Sequence, residues 1–381
     1  MMSERGEATT KIVGPQERFD QKYQMHSYAA IGGVGEKVQK RWTAESKDPF
    51  RRIFYPENRS MNVPIRSWRS VADGPLNPER TEVKDPAHMA GYIKEVARFL
   101  GADLVGVCEL NQAYVYSRHG LRIDYAKGLG GKEIELPHKY AISVAVEMNY
   151  DRLRYEPGRI GNAEVGLGYL NVGKVAVALA AFIRELGWPA RAHFFINEWV
   201  MHVPLAEAAG LGELARNSIL VTPEFGPRHR LATITTDLPL AIDSPIDIGV
   251  VKTCNVCKKC AVNCPSQAIP HGEKQEINGV LKWDVNQERC IRMWVANPDR
   301  WNDCARCISV CPWNQKNTWY HKAAVGVVKR SAMARHLLLW MDNLIRGKEP
   351  RPEVRWLDYV EGGRTARIVK DKEIFDEPDN S

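Results

Sequence analysis

Residues 254–265 read Cys254-Asn-Val-Cys257-Lys-Lys-Cys260-Ala-Val-Asn-Cys264-Pro265, and further on comes Cys304-Ala-Arg-Cys307-Ile-Ser-Val-Cys311-Pro312. Of the nine cysteines, only Cys108 lies outside the interval from Cys254 to Cys311. Disulfides fit poorly, because a spacing of two residues seldom allows the separation and angles a bridge needs, and a chain this long needs no staples. A four-thiolate zinc site could use Cys254, Cys257, Cys304 and Cys307, but it leaves Cys260, Cys264, Cys290 and Cys311 unexplained. Two cubane [4Fe–4S] clusters use all eight. In the ferredoxin run C-x2-C-x2-C-x3-C-P, three thiolates bind one cube and the fourth crosses to the other. The second run lacks a first cysteine at the usual spacing, and Cys290 is the substitute. This assigns Cys254, Cys257, Cys260 and Cys311 to one cluster, and Cys264, Cys290, Cys304 and Cys307 to the other. Thiols kept free for metal imply assembly in a reducing compartment.

The chain has 381 residues, 44% hydrophobic and 26% charged, which is a globular composition with room for two or three domains. The longest apolar run, Val175 to Ile183, is too short to cross a bilayer, so no transmembrane segment is expected. A net charge of +7, from 53 basic and 46 acidic side chains without basic runs, gives no reason to expect a nucleic-acid partner. Met1-Met2-Ser3-Glu4-Arg5 has no apolar h-region, so the expected location is cytoplasmic, or else an exported mature form whose signal has been removed.

Asp85-Pro86 opens a helix expected to run to Gly101. Strands are expected at Leu104–Cys108, Ala141–Val146, Ala192–Ile196, Ile219–Val221 and Leu231–Thr236, giving an α/β (α+β) layered core. Val172, Val175, Ala176, Leu179, Phe182, Ile183 and Leu186 mark one face of a helix ending at Gly187, with Gly166, Gly168 and Tyr169 in the loop before it. Gly168-x4-Gly173-Lys174 nearly spells a phosphate-binding loop, but Val175 stands where Ser or Thr is needed. Cys108 reads as a small buried hydrophobe. Ser331 to Gly347 reads as a capped helix. The expected divisions are a wrapping segment at 1–82, with scattered aromatics such as Phe54, Tyr55 and Trp68, a core at 83–248, an iron–sulfur domain at 249–325, and a helix and charged tail at 326–381.

A core in front of two clusters needs a use for electrons, and the ten histidines form no paired metal motif that would supply one. Here the chain resembles the corrinoid-dependent reductive dehalogenases. The resemblance rests on the cysteine pattern with its displaced ligand, Gly168-Tyr169 leading to Phe182-Ile-Arg-Glu-Leu-Gly187, Ile196-Asn197 ahead of His202-Val-Pro204, Ala209-Gly-Leu-Gly212, and Phe225-Gly-Pro-Arg-His-Arg230 running on to Asp237-Leu-Pro239. It implies a nitroreductase-like core holding a base-off cobalamin mainly by backbone and shape, with a ferredoxin-like dicluster domain that relays electrons to cobalt. It also implies reductive removal of halide from an organohalide. Tyr169 would be the proton donor, assisted by Arg230 and Asn197. A cation beside a phenol favours the phenolate and brings proton release toward neutral pH. His229 is left without a role, and Trp294, Trp301 and Trp313 are expected to shield the clusters from water. With neither a twin-arginine signal nor a reductase extension in view, the expected electron source is a separate ferredoxin-like protein or membrane partner. Two other readings stand beside this one: an epoxyqueuosine-reductase-like corrinoid enzyme acting on tRNA, and a non-catalytic dicluster electron carrier.

Overall fold

The computed structural model describes residues 8–36, 60–154, 156, 159–296 and 304–349. Phe54, Tyr55, Trp301 and the charged tail beyond Glu349 lie outside the described residues. Short strands β1 (Lys11–Ile12), β5 (Glu213–Leu214), β6 (Leu220–Val221), β8 (Gln275–Ile277) and β9 (Val280–Lys282) surround a central sheet of β2 (Leu104–Glu109), β3 (Tyr140–Glu147), β4 (Ala190–His193) and β7 (His229–Thr236). The central order is β2-β3-β7-β4, and every pairing is antiparallel. This is the α+β arrangement, with no parallel crossover in the sheet.

Alternation sorts the side chains of this sheet to two faces. Ile142, Val144, Val146, Ala232 and Ile234 face the long helix Arg159–Glu185, which presses Val172, Val175, Ala176, Leu179, Ala180 and Ile183 into the same core. Each fully buried Val, Leu or Ile contributes roughly 1.5–3 kcal/mol. Cys108, Ala141 and Ala145 face the other way, toward Leu205 and Ala206 of the helix His202–Ala208. Cys108 is a buried packing thiol within hydrogen-bond reach of the Leu205 carbonyl at 3.5 Å, and burial pushes it up to about 12. Asp85 caps the helix Pro86–Phe99 by accepting from the Ala87 and His88 amides.

Three expectations need correction. The long helix starts at Arg159, so Gly166, Gly168 and Tyr169 are helical rather than in a loop, and the near-match to a phosphate loop has no loop to sit on. The glycines made the segment look irregular, but they allow close packing: a Cβ on Gly168 would sit 2.9 Å from Arg230 Cγ, and one on Gly173 would sit 3.2 Å from the Trp68 ring. The strand expected at Ala192–Ile196 ends at His193, because the Asn197 amide turns back onto the Phe194 carbonyl at 2.8 Å and Ile196 takes a φ of 62°. Finally, Gly161–Glu185 is long and apolar enough to cross a membrane by length and composition, beyond the short run visible in sequence. Half of that stretch is buried, and it serves as the core helix on the sheet.

The N-terminal residues touch both the central sheet region and the cysteine region. β1 pairs with β9, while Arg18 donates to the Val115, Tyr116 and Ile134 carbonyls. The helix Met25–Ala30 packs on Gln287–Ala296 through Ala29, Val34, Ile291 and Trp294. At the other end of the chain, Ser331 caps Ala332–Arg346.

Candidate active site

The eight clustered cysteines carry free thiols. Cys260 lies within electrostatic reach of Cys254, Cys311, Cys307 and Cys257, and Cys311 within reach of Cys254 and Cys257. Burial, with the neighbouring thiols adding, holds Cys260 and Cys311 well above the ordinary thiol range, and burial pushes Cys254 up to about 12. Thiols pressed together in this way give up their protons to solvent only when a cation takes their place on sulfur, so these cysteines are chemically suited to metal. Among the described residues no three His, Cys, Asp or Glu side chains close on a single-ion site. Around this group Arg216 donates to the Cys254 carbonyl and Arg346 to the Cys311 carbonyl, and Lys259 is anchored at 2.7 Å to Asp342.

Of the remaining four cysteines, Cys307 adjoins the tyrosine. Cys304 and Cys264 both act on the Arg306 guanidinium, which places them together. Cys307 packs in one apolar patch with Met148, Leu153, Val165 and Tyr169. Cys290 lies one turn before Trp294 on Gln287–Ala296. Cys264 accepts from the Ala268 amide at 3.3 Å.

Tyr169, half-buried on the long helix, stacks on Phe195 with centroids 4.3 Å apart and planes at 22°. The Arg230 guanidinium carbon lies 4.8 Å from the Tyr169 ring centre. Strand β7 delivers Arg230 opposite Val146, and the bare face of Gly168 leaves room for its stem. The structure therefore brings Tyr169 and Arg230 together. Asn197 is buried two residues beyond Phe195. Its Oδ1 accepts from Arg191 at 3.4 Å and its Nδ2 donates to the Ala192 carbonyl at 3.3 Å. The positive φ of Ile196, which costs about 1–3 kcal/mol, sits between Phe195 and Asn197 and is held by Arg69 donating to the Ile196 carbonyl. His229 Nε2 donates to the Leu220 carbonyl at 2.9 Å, and burial holds the imidazole down to about 4.

Behind Asn197 lies a buried polar cluster. Arg191 covers the Trp199 ring at 3.3 Å and pairs with Asp73, while Arg69 pairs with Asp124 at 3.0 Å. Burial pushes Glu198 up to about 7. Among the described residues, the Nε atoms of Arg69 and Arg191, and Oε2 of Glu198, have no hydrogen-bond partner. Sequence reasoning found none of Phe195, Glu198, Arg191 or His26, because each depends on contacts far along the chain. His26 meets Phe195 edge-on at 5.9 Å and Trp294 at 5.1 Å.

Residues 253–315 match the 4Fe-4S dicluster domain. The tetrachloroethene reductive dehalogenase of Desulfitobacterium hafniense is 37% identical over 275 residues, 61% of this chain and 49% of that protein. The enzyme of the same description from Sulfurospirillum multivorans is 30% identical over 308 residues, 73% of this chain and 60% of that protein. Among solved structures, the catabolic reductive dehalogenase NpRdhA superposes with a TM-score of 0.80 at 28% identity, covering 91% of this chain and 49% of that one. The chain belongs to the corrinoid-dependent reductive dehalogenase family. It spans about half the length of the relatives it matches first. Against that family's cofactor, the partnerless buried atoms of Arg69, Arg191 and Glu198 fit: the amide-rimmed edge of a corrinoid offers both donors and acceptors to them.

Proposed function

We propose that the protein is an oxidoreductase that replaces the halogen of an organohalide with hydrogen, Tyr169 providing the proton. The observation that carries this reading is Arg230 lying 4.8 Å from the Tyr169 ring centre, in a patch shared with Cys307. In overall balance, two electrons and one proton enter, the carbon–halogen bond is replaced by carbon–hydrogen, and halide leaves. A bound corrinoid would supply the cobalt at which the carbon–halogen bond is reduced. Arg69, Arg191 and Glu198 are the residues proposed to meet its polar rim.

Tyr169 holds the proton at its phenolic oxygen, and the Arg230 cation stabilises the phenolate left after transfer. Phe195 fixes the plane of the phenol and excludes water from one side. Asn197 is proposed to orient the reacting group from the loop that Ile196 strains, adding no charge. The cluster proposed for Cys264, Cys290, Cys304 and Cys307 delivers electrons beside Tyr169. The one proposed for Cys254, Cys257, Cys260 and Cys311 receives them from a separate donor. Anaerobic purification, corrinoid reconstitution and a halide-release screen across aromatic and aliphatic halides, with a queuosine-precursor RNA as control, test the reading. Halide release that falls away in Tyr169→Phe while iron and corrinoid stay bound is the expected result. Wild-type turnover in that variant removes Tyr169 from the mechanism. Failure to take up corrinoid favours an electron carrier.

A further inference from the structure

Strand β5 and the turn after it pack on the core, yet two of their charged side chains reach into the cysteine domain, and the reaction described above gives neither a part. Glu213 is fully buried, and its carboxylate gathers four backbone amides at the start of the helix Val250–Val256, which carries Cys254. Oε1 accepts from Ile248, from Gly249 at 2.8 Å and from Val250 at 3.1 Å, while Oε2 accepts from Val251 at 3.3 Å. Arg216, 1% exposed, grips the same helix further along. Its Nε and one terminal nitrogen donate to the Cys254 carbonyl at 3.2 and 3.1 Å, and the other terminal nitrogen donates to the Pro270 and Gly272 carbonyls at 2.8 Å each. Between the two, Ala215 packs in one patch with Cys254 and Cys311.

A helix start needs partners for its open amides, but a neutral Ser or Asn supplies them without taking a charge out of water. Two opposite charges buried on one helix do more than cap it. Both fields fall on Cys254, the Arg216 cation favouring its thiolate and the Glu213 anion opposing it. The potential of an iron–sulfur cluster follows the net charge around it, because reduction adds one negative charge to the cube. We infer that Glu213 and Arg216, acting through the Cys254 helix, set the reduction potential of the cluster assigned to Cys254, Cys257, Cys260 and Cys311, the anion lowering it and the cation raising it. The inference rests on that cluster assignment. Arg216, Lys259 and Arg346 together would hold an incoming electron on this cluster; Glu213 offsets them, so the electron taken from the donor moves on to the second cluster.

The test is a redox titration of the full-length, anaerobically purified, iron- and corrinoid-loaded protein, with the cluster signals followed by electron paramagnetic resonance and iron counted on the same samples. Glu213→Gln keeps an acceptor for three of the four amides and removes the charge. It should raise one cluster midpoint by about 59 mV, a tenfold gain in the reduced-to-oxidised ratio, and leave the other midpoint in place. Glu213→Asp keeps the charge and shortens the reach, so its midpoint should stay near that of the wild type while the fold melts earlier. Arg216→Gln should shift the same midpoint the opposite way; if that variant fails to hold iron, the Glu213 pair decides alone. Midpoints unmoved in Glu213→Gln, both midpoints moved together, or Glu213→Asp moving as far as Glu213→Gln overturns the inference with the clusters intact. Wild-type iron short of two cubes overturns the cluster assignment, and this inference with it.

Discussion

The two cysteine groups share a short stretch of chain but sit in different chemical surroundings. Cys254, Cys257, Cys260 and Cys311 are ringed by Arg216, Lys259 and Arg346 and adjoin the C-terminal helix. Cys307, from the other group, shares an aliphatic patch with Tyr169, while Cys290 shares a helix with Trp294 and so with the surroundings of His26. Cations round a redox centre favour its reduced, more negative state. On the proposed assignment, one group would receive electrons and the other, which has Arg306 beside Cys264 and Cys304, would pass them on next to a proton source.

Cysteine substitution breaks this comparison most severely. Cys290→Ala should lower bound iron toward that of one intact cluster and abolish halide release with every reductant; an unchanged iron content would show that Cys290 is no ligand. Cys257→Ala should lose a similar amount of iron, yet keep some turnover with a small chemical reductant that reaches the remaining cluster directly. Equal loss with protein and chemical donors would erase the proposed order of the two groups. Next in size is Tyr169→Phe, expected to cut halide release about 10²–10⁴-fold with iron unchanged, which separates proton supply from electron supply.

Acid should strike the tyrosine end first. His26 and His229 both titrate in the fold near 4, below the ordinary 6.5, so their stabilising contribution is present above pH 6.5 and is lost as the pH falls through 6.5 toward 4. Each contributes at most roughly 3 kcal/mol. Hydrogen exchange followed from pH 7 to pH 5 should quicken around residues 26 and 229 before it does around Cys254, and the reverse order would count against this account. A loss of similar size is expected near Asp342, whose carboxylate holds Lys259 at 2.7 Å and Arg346 at 3.1 Å. Asp342→Asn should cost about 3 kcal/mol in chemical denaturation and release iron more readily, with the Tyr169 contacts untouched.

Local patterns made much of this legible. The sheet strands and the helices at Pro86–Phe99 and Ala332–Arg346 follow from periodicity and caps, since Asp85 and Ser331 advertise the helix starts. The first half of the long helix was hidden because Gly161, Gly166 and Gly168 imitate a loop, while their actual value lies in partners such as Arg230 that are distant in sequence. At the site, the cysteine spacing and the pair Tyr169 and Arg230 could be named from motifs. His26, Phe195 and the buried Arg191–Glu198 surroundings of Asn197 could not, because no local spacing records a contact between a helix near the N-terminus and a turn beyond β4.

The helix Gln287–Ala296 joins two jobs that are usually kept apart. On the assignment proposed for Cys290, one turn of it grips iron, and the next turn offers Trp294 as the flank against which His26 leans. Metal delivery and the ordering of the Tyr169 surroundings are then steps of a single maturation event. A chain starved of iron would lose its cluster, and the helix that carries Trp294 against His26 would lose its anchor as well.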